Sequence, residues 1–181
     1  SFNDNKNEYN LGADVRYGIS SSAVLNATVN PDFGQVEADP SVLNLSAYET
    51  FYDERRPFFS EGANFFQHRL QLFHSRRIGK SPGYFTPDSG ELENIPGNTT
   101  ILGAFKLLGT TRSGFNYGVI NATTNEELGT LITSDGQKED FIVEPMTNYA
   151  VGRIEKSIIN KFSRIGFMGT DVRRKEAESA S

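Results

Sequence analysis

The stretch "YNLGADVRYGISSSAVLNATVN", residues 9–30, decides how the remainder of the chain is read. Tyr9, Leu11, Ala13, Val15, Tyr17 and Ile19 alternate without a break with Asn10, Gly12, Asp14, Arg16 and Gly18. A period of two marks a strand with two chemically different faces. Ser20, Ser21 and Ser22 supply a polar turn, after which Ala23, Leu25, Ala27 and Val29 resume the apolar stripe opposite Asn26, Thr28 and Asn30. Residues 9–30 therefore predict a β-hairpin. The first apolar stripe starts and ends on tyrosine. Eight residues at about 3.3 Å each, tilted by about 40°, separate Tyr9 from Tyr17 by roughly 20 Å, near the ~25 Å apolar band between the aromatic girdles of an outer-membrane barrel. The competing reading is a sandwich strand packed on a second sheet, and from this strand alone the sandwich leads because soluble β proteins are commoner.

The totals restrict the choice. A chain of 181 residues suits one folding unit. Hydrophobic content of 36% is low for a globular core, while 17 Gly with 14 Phe and 7 Tyr suit a β-rich chain better than a helical bundle. A net charge of −5 and only isolated arginine pairs argue against a nucleic-acid surface, which needs a basic stripe. Without cysteine there is no disulfide framework, thiolate nucleophile or Cys-based metal site. The opening "SFNDNKNEYN" has no export-signal pattern, so any such signal lies upstream. No apolar run reaches the ~18 residues of a membrane helix, a criterion that leaves β-barrels open.

Residues 31–99 interrupt the alternation with six of the seven prolines and read mostly as loop, with a strand expected over Val42–Phe51 and a short helix over Asn64–Phe73. A connection this long inside a compact unit usually has a function. Alternation returns in "TTILGAFKLLGTT" (99–111) and "FNYGVINATT" (115–124), predicting a second hairpin. Residues 125–147 read as a long polar hairpin tip or loop. "NYAVGRIEKSI" (148–158) and "SRIGFMGTDV" (163–172) form a third pair, and the charged end "RRKEAESAS" is expected to fray. The echo of "LNATVN" in "INATTN" is too short to be a repeat.

Catalytic patterns are weak. Gly79-Lys80-Ser81-Pro82-Gly83 matches G-x-S-x-G, but Pro82 and Gly83 oppose a helix at the serine and both histidines lie upstream, so it reads as a turn. His68 and His74 are six apart, which fits neither a helical nor a strand metal pair. Asn30, Asp32, Glu37 and Asp39 cluster around Gly34 in an order unlike the EF-hand loop. Asp32, Glu37, Asp39, Glu49, Asp53, Glu54 and Glu61 offer many carboxylate pairs for glycosidase chemistry, too many to be specific. Arg55, Arg56, Arg76 and Arg77 supply the better explanation. Bidentate pairing with these acids would hold an irregular segment together, and such pairs suit a polar cavity better than an apolar core.

The phrase "ADVRYGISSSAVLNATVNPDFGQVEADPSVLNLSAYETFYDERRPFFSEGANFF" (13–66), followed by "LFHSRRIG" (72–79), resembles the start of a C-terminal outer-membrane β-barrel domain of unknown function, found in Bacteroidetes-type proteins whose N-terminal domain is similar to family 9 carbohydrate-binding modules. "GAFKLLGTTRSGFNYGVINATTNEE" and "YAVGRIEKS" look like that barrel's next strands. The resemblance implies an exported Gram-negative protein in the outer membrane, linked to carbohydrate or other nutrient handling. The carbohydrate-binding domain is absent from this chain, so no sugar-binding residue carries over. The five to seven strands expected here also fall short of the eight of the smallest closed barrels.

The resulting expectation is an all-β unit: the antiparallel N-terminal part of an incomplete transmembrane β-barrel, with a first hairpin over 9–30, a plug-like insertion over 31–99 and further hairpins over 100–181. Tyr9, Leu11, Val15 and Ile19 would face lipid. Asp32, Glu37, Asp39, Arg55, Arg56, Arg76 and Arg77 would form the plug's polar lattice, anchored by Phe58, Phe59, Phe65 and Phe66. The expected role is a non-enzymatic channel, transport or envelope-assembly component. Its expected partners are outer-membrane lipid, the remaining strands of a parent barrel or an envelope complex, and carbohydrate, with no nucleic acid and no cofactor. A secreted, glycoside hydrolase-like β-sandwich is the alternative.

Overall fold

A computed structural model describes residues 11–31, 53–83, 91–159 and 163–175. Tyr9, the strand expected over 42–51, and Asp32, Glu37 and Asp39 lie outside the described residues. The chain is mostly antiparallel sheet, and the sheets are open, as an incomplete barrel would present them.

Six strands form the larger sheet: β1 (Ala13–Ser20), β2 (Ala23–Val29), β4 (Ile101–Thr110), β5 (Phe115–Thr124), β8 (Thr147–Ser157) and β9 (Arg164–Arg174), each beside the next in that order. The predicted hairpins at 9–30, 99–124 and 148–172 correspond to β1–β2, β4–β5 and β8–β9. A smaller sheet joins β3 (Glu91–Asn94), β6 (Glu127–Ile132) and β7 (Lys138–Glu144). Residues 125–147 thus take the hairpin form of the two expected, not the loop. Thr124 pairs with Thr147 at the last rung of β5 and β8, and Glu127 then pairs with Glu144, so β6–β7 prolongs the same hairpin. Its polar composition left the loop alternative open, because both faces of a protruding hairpin can be wet and the two-residue contrast fades.

Register sorts the larger sheet into two faces. Arg16, Asn26, Lys106, Ile120 and Val151 fall in one row on the inner face. Tyr17, Leu25, Leu107 and Val119 fall in the adjacent outer row. The core lies wholly on the inner side, where Phe59, Phe66 and Ile78 from the β2–β4 connection pack with Ile101, Ala104, Ile120, Ala122 and Val151. On the outer side Tyr17 is 61% exposed and Phe167 73%, with Val15, Ile19, Phe105, Val119, Ile154 and Ile165 also open.

The outer apolar band runs obliquely to the register. Val15 begins a row that continues through Ala27, Phe105, Asn121 and Ala150 to Asp171, changing from apolar to charged. On β9 the apolar residues are instead Ile165 and Phe167. Between Tyr17, the middle of the exposed β1 stripe, whose row ends at Gly169, and the Ile165 and Phe167 pair, the band slips about three residues, or about 10 Å over about 24 Å across the five strand-to-strand steps.

The β2–β4 connection leaves and returns side by side, with the Asn30 amide donating to the Leu102 carbonyl at 2.9 Å. It contains α1 (Pro57–Ser60), with proline in its first turn, and two 3₁₀ turns at Ala63–Phe65 and Ser75–Arg77. The helix expected over 64–73 is absent. Arg153 donates to the carbonyls of Phe65 and Gln67, both at 2.7 Å, and so takes acceptors that helix hydrogen bonds would have used. No described helix is long and apolar enough to cross a membrane, which leaves β-strand spans open.

Candidate functional site

The candidate site is the seam between the inner sheet face and residues 53–83. Lys106 is its centre. It occupies the inner row of β4 and is 1% exposed, and its ammonium donates to the carbonyls of Phe58 and Glu61 while lying 5.1 Å from the Phe58 ring centre. A buried lysine without donors satisfied would be costly, and here the insertion's backbone satisfies it.

Two further sheet cations repeat the arrangement. Arg153 on β8 grips Phe65 and Gln67, stacks 5.4 Å from the Phe65 ring centre, and pairs with Glu155 at 2.7 Å. Arg16 on β1 pairs with Glu61 at 2.6 Å in a more exposed setting, and Asn26 donates to the other Glu61 oxygen at 3.2 Å. The sheet thus supplies the cations and the insertion supplies carbonyls and a carboxylate.

Aromatic packing fits between these contacts. A Cβ on Gly118 would lie 2.5 Å from Phe65 Cδ1 and 2.8 Å from Phe66 Cζ, so the missing side chain is what lets both rings reach β5. Gly62, at φ 71°, turns the chain between α1 and the first 3₁₀ turn, in a conformation glycine adopts without strain. Phe65 and Phe66 meet edge-to-face at 5.5 Å, and Phe58 and Phe59 do so at 5.0 Å.

Inside the insertion, Arg56 closes the fold on itself. It is 5% exposed. Its Nε donates to Glu54 Oε1 at 2.7 Å and one terminal nitrogen to Glu54 Oε2 at 2.6 Å, a bidentate pair. The remaining donors reach the Ile78 carbonyl at 2.6 Å and the Ser75 carbonyl at 2.8 Å, and the guanidinium lies 4.4 Å from the Phe59 ring centre. Burial pushes the Glu54 carboxyl upward, but hydrogen bonds from Arg56 and Ser75 and the guanidinium charge outweigh it and hold the group below its usual range. Both oxygens of Glu54 are engaged in this lattice, an arrangement that suits structure better than catalysis.

Over residues 1–181 the chain matches the family described as Domain of unknown function (DUF5916). It belongs to that family. No curated protein and no solved structure matches it.

Among the named lattice residues of this DUF5916 chain, the structure places Arg56 in a network with Glu54, Ser75 and Ile78. Arg56 is its hub, whereas Arg55 and Arg77 are exposed and Arg76 is half-buried. All four expected anchors meet the seam: Phe59 and Phe66 are buried in the core, with Phe58 and Phe65 packed against it. The acids that matter here are Glu54 and Glu61, which entered the sequence reading only as unspecific carboxylates. Lys106 and Arg153 were missed outright. Their signal was parity, since each sits on the inward phase of an alternating strand, where a full-length cation needs a partner. His68 and His74 line a cavity of about 390 Å³ with Asp53, Glu54, Phe66 and Phe73. No cluster suited to a metal ion occurs among the described residues.

Proposed function

We propose that the chain forms part of the wall of an outer-membrane β-barrel, with its β2–β4 insertion seated against the lumenal face as a plug or scaffold. Its role is passage or envelope assembly and not catalysis. The supporting observation is the apolar band on the open outer face, which crosses the register obliquely as the lipid-facing band of tilted barrel strands does. A soluble sandwich calls for a second sheet over that band, and among the described residues Val15, Tyr17, Phe105, Val119, Ile154 and Phe167 on that face are exposed. The edges at β1 and β9 would be continued by further strands of the parent protein. Bacteroidetes-type origin, an upstream carbohydrate-binding domain and carbohydrate handling come from the sequence resemblance and belong to this proposal.

The test is fractionation of the full-length protein. Recovery in an outer-membrane fraction that resists alkaline carbonate, with detergent needed for a monodisperse preparation, is the expected result. A protein that is monodisperse in plain buffer and cleaves glycans would replace this reading with the secreted-enzyme one. Planar-bilayer conductance then probes the plug, since replacing Arg55 and Arg56 together with Ala should raise conductance or lower heat stability. Unaltered values in both would remove the plug role.

A further inference from the structure

The two ends of the larger sheet are built differently. At one end all three connections are short and close on themselves. Ser20 and Ser22 bracket the β1–β2 turn, where the Ser22 amide donates to Ser20 Oγ at 3.3 Å. The Thr111 amide donates to the Phe115 carbonyl at 2.8 Å across the β4–β5 turn, and the Ile158 amide donates to the Ser163 carbonyl at 3.0 Å across the β8–β9 turn. At the other end, β2 departs into the 71-residue connection to β4, and β5 departs into the β6–β7 hairpin. These two excursions join each other. The Asn125 amide donates to the Thr100 carbonyl at 2.8 Å, the Thr100 amide donates to Glu127 Oε1 at 2.7 Å, and β3 pairs with β6.

Antiparallel strands make the sorting complete, because every second connection must fall at the same end. Outer-membrane barrels show one such polarity, with short turns on the periplasmic side and long loops outside. From this polarity we infer the sidedness of the protein: the β1–β2, β4–β5 and β8–β9 turns face the periplasm, while the β3–β6–β7 sheet stands on the cell surface and residues 53–83 of the β2–β4 connection enter the lumen from outside. The inference rests on the barrel reading above and adds a direction to it. It places the acidic tip, with Asp135 on the 133–137 turn and Asp140 on β7, in contact with the medium.

These 181 residues contain no cysteine, so a single substitution adds a new thiol here. Ser134→Cys at the β6–β7 tip and Ser113→Cys at the β4–β5 turn, both exposed positions, are introduced into the full-length protein in cells. A membrane-impermeant maleimide is applied before and after outer-membrane permeabilisation, with the unsubstituted parent as blank. Ser134→Cys should label fully in intact cells and Ser113→Cys only after permeabilisation. The reverse pattern overturns the sidedness and leaves the barrel intact. Two sites that behave alike, in a protein released by alkaline carbonate, overturn the barrel itself; alike labelling in a carbonate-resistant protein overturns the sidedness alone.

Discussion

Val119 and Ile120 are neighbours on β5 with opposite fates. Ile120 faces inward and is 2% exposed, enclosed by Phe59, Phe66 and Val151, whereas Val119 faces outward and remains 38% exposed. Both are branched aliphatic residues in the same strand, so propensity does not distinguish them. What differs is the source of the covering. The inner face is completed by the chain's own insertion, held by cations; the outer face has no such covering among the described residues.

The strongest way to break the inner face is at Arg56. Arg56→Ala leaves the half-buried Glu54 carboxylate without its bidentate partner, which should cost about 3 kcal/mol in urea unfolding of the full-length protein in lipid vesicles. Arg56→Lys should restore little, because an ammonium cannot reproduce the planar fork. The same pair predicts a pH dependence. A folded carboxyl held below its unfolded value stabilises the protein above that unfolded value of about 4.5, and the contribution disappears as pH falls through the lower, folded pKa. Stability that rose on acidification through this window in the parent but not in Arg56→Ala would contradict the assignment.

Core truncation comes next. Ile120→Ala should cost about 2–5 kcal/mol, the lost transfer energy plus the cavity that packed rings cannot fill. The contrast is sharpened by Val119→Arg on the other side of the strand. Against a bilayer interior a cation there should cost about 2–4 kcal/mol. At a wetted surface the same change should stay within about 0.5 kcal/mol. A null result at Val119 alongside a large one at Ile120 would make the outer face an aqueous one.

Much of this contrast was legible in the residues. Unbroken alternation in 9–30, 99–124 and 148–172 located the six strands of the larger sheet, because register and burial both follow the two-residue pleat. The phenylalanines of 58–66 were readable as anchors because an irregular segment has few other means of holding its place. What stayed hidden was long-range: Lys106 contacts residues 45 and 48 positions away, and Arg153 contacts residues 86 and 88 positions away. The expected helix over 64–73 failed for the same reason, since Phe65, Phe66, Leu70 and Phe73 have helix-like spacing while the carbonyls among them are claimed by a strand distant in sequence.

The smallest effect should come from Arg16, and it tests whether all three sheet cations are equivalent. Its pair with Glu61 is as short as the buried ones, yet both side chains are well exposed. Exposed pairs are screened by water and salt, so Arg16→Gln should cost only about 0.2–1 kcal/mol and lose most of that difference at high ionic strength. Arg16 also lines the two clefts of about 430 Å³ and 390 Å³ that flank the bridge, which under the proposed barrel reading a strand neighbouring β1 would cover. A salt-insensitive loss of several kcal/mol in the full-length protein would therefore place Arg16 under cover. The insertion would then be gripped as firmly at the β1 edge as it is by Lys106 at the centre.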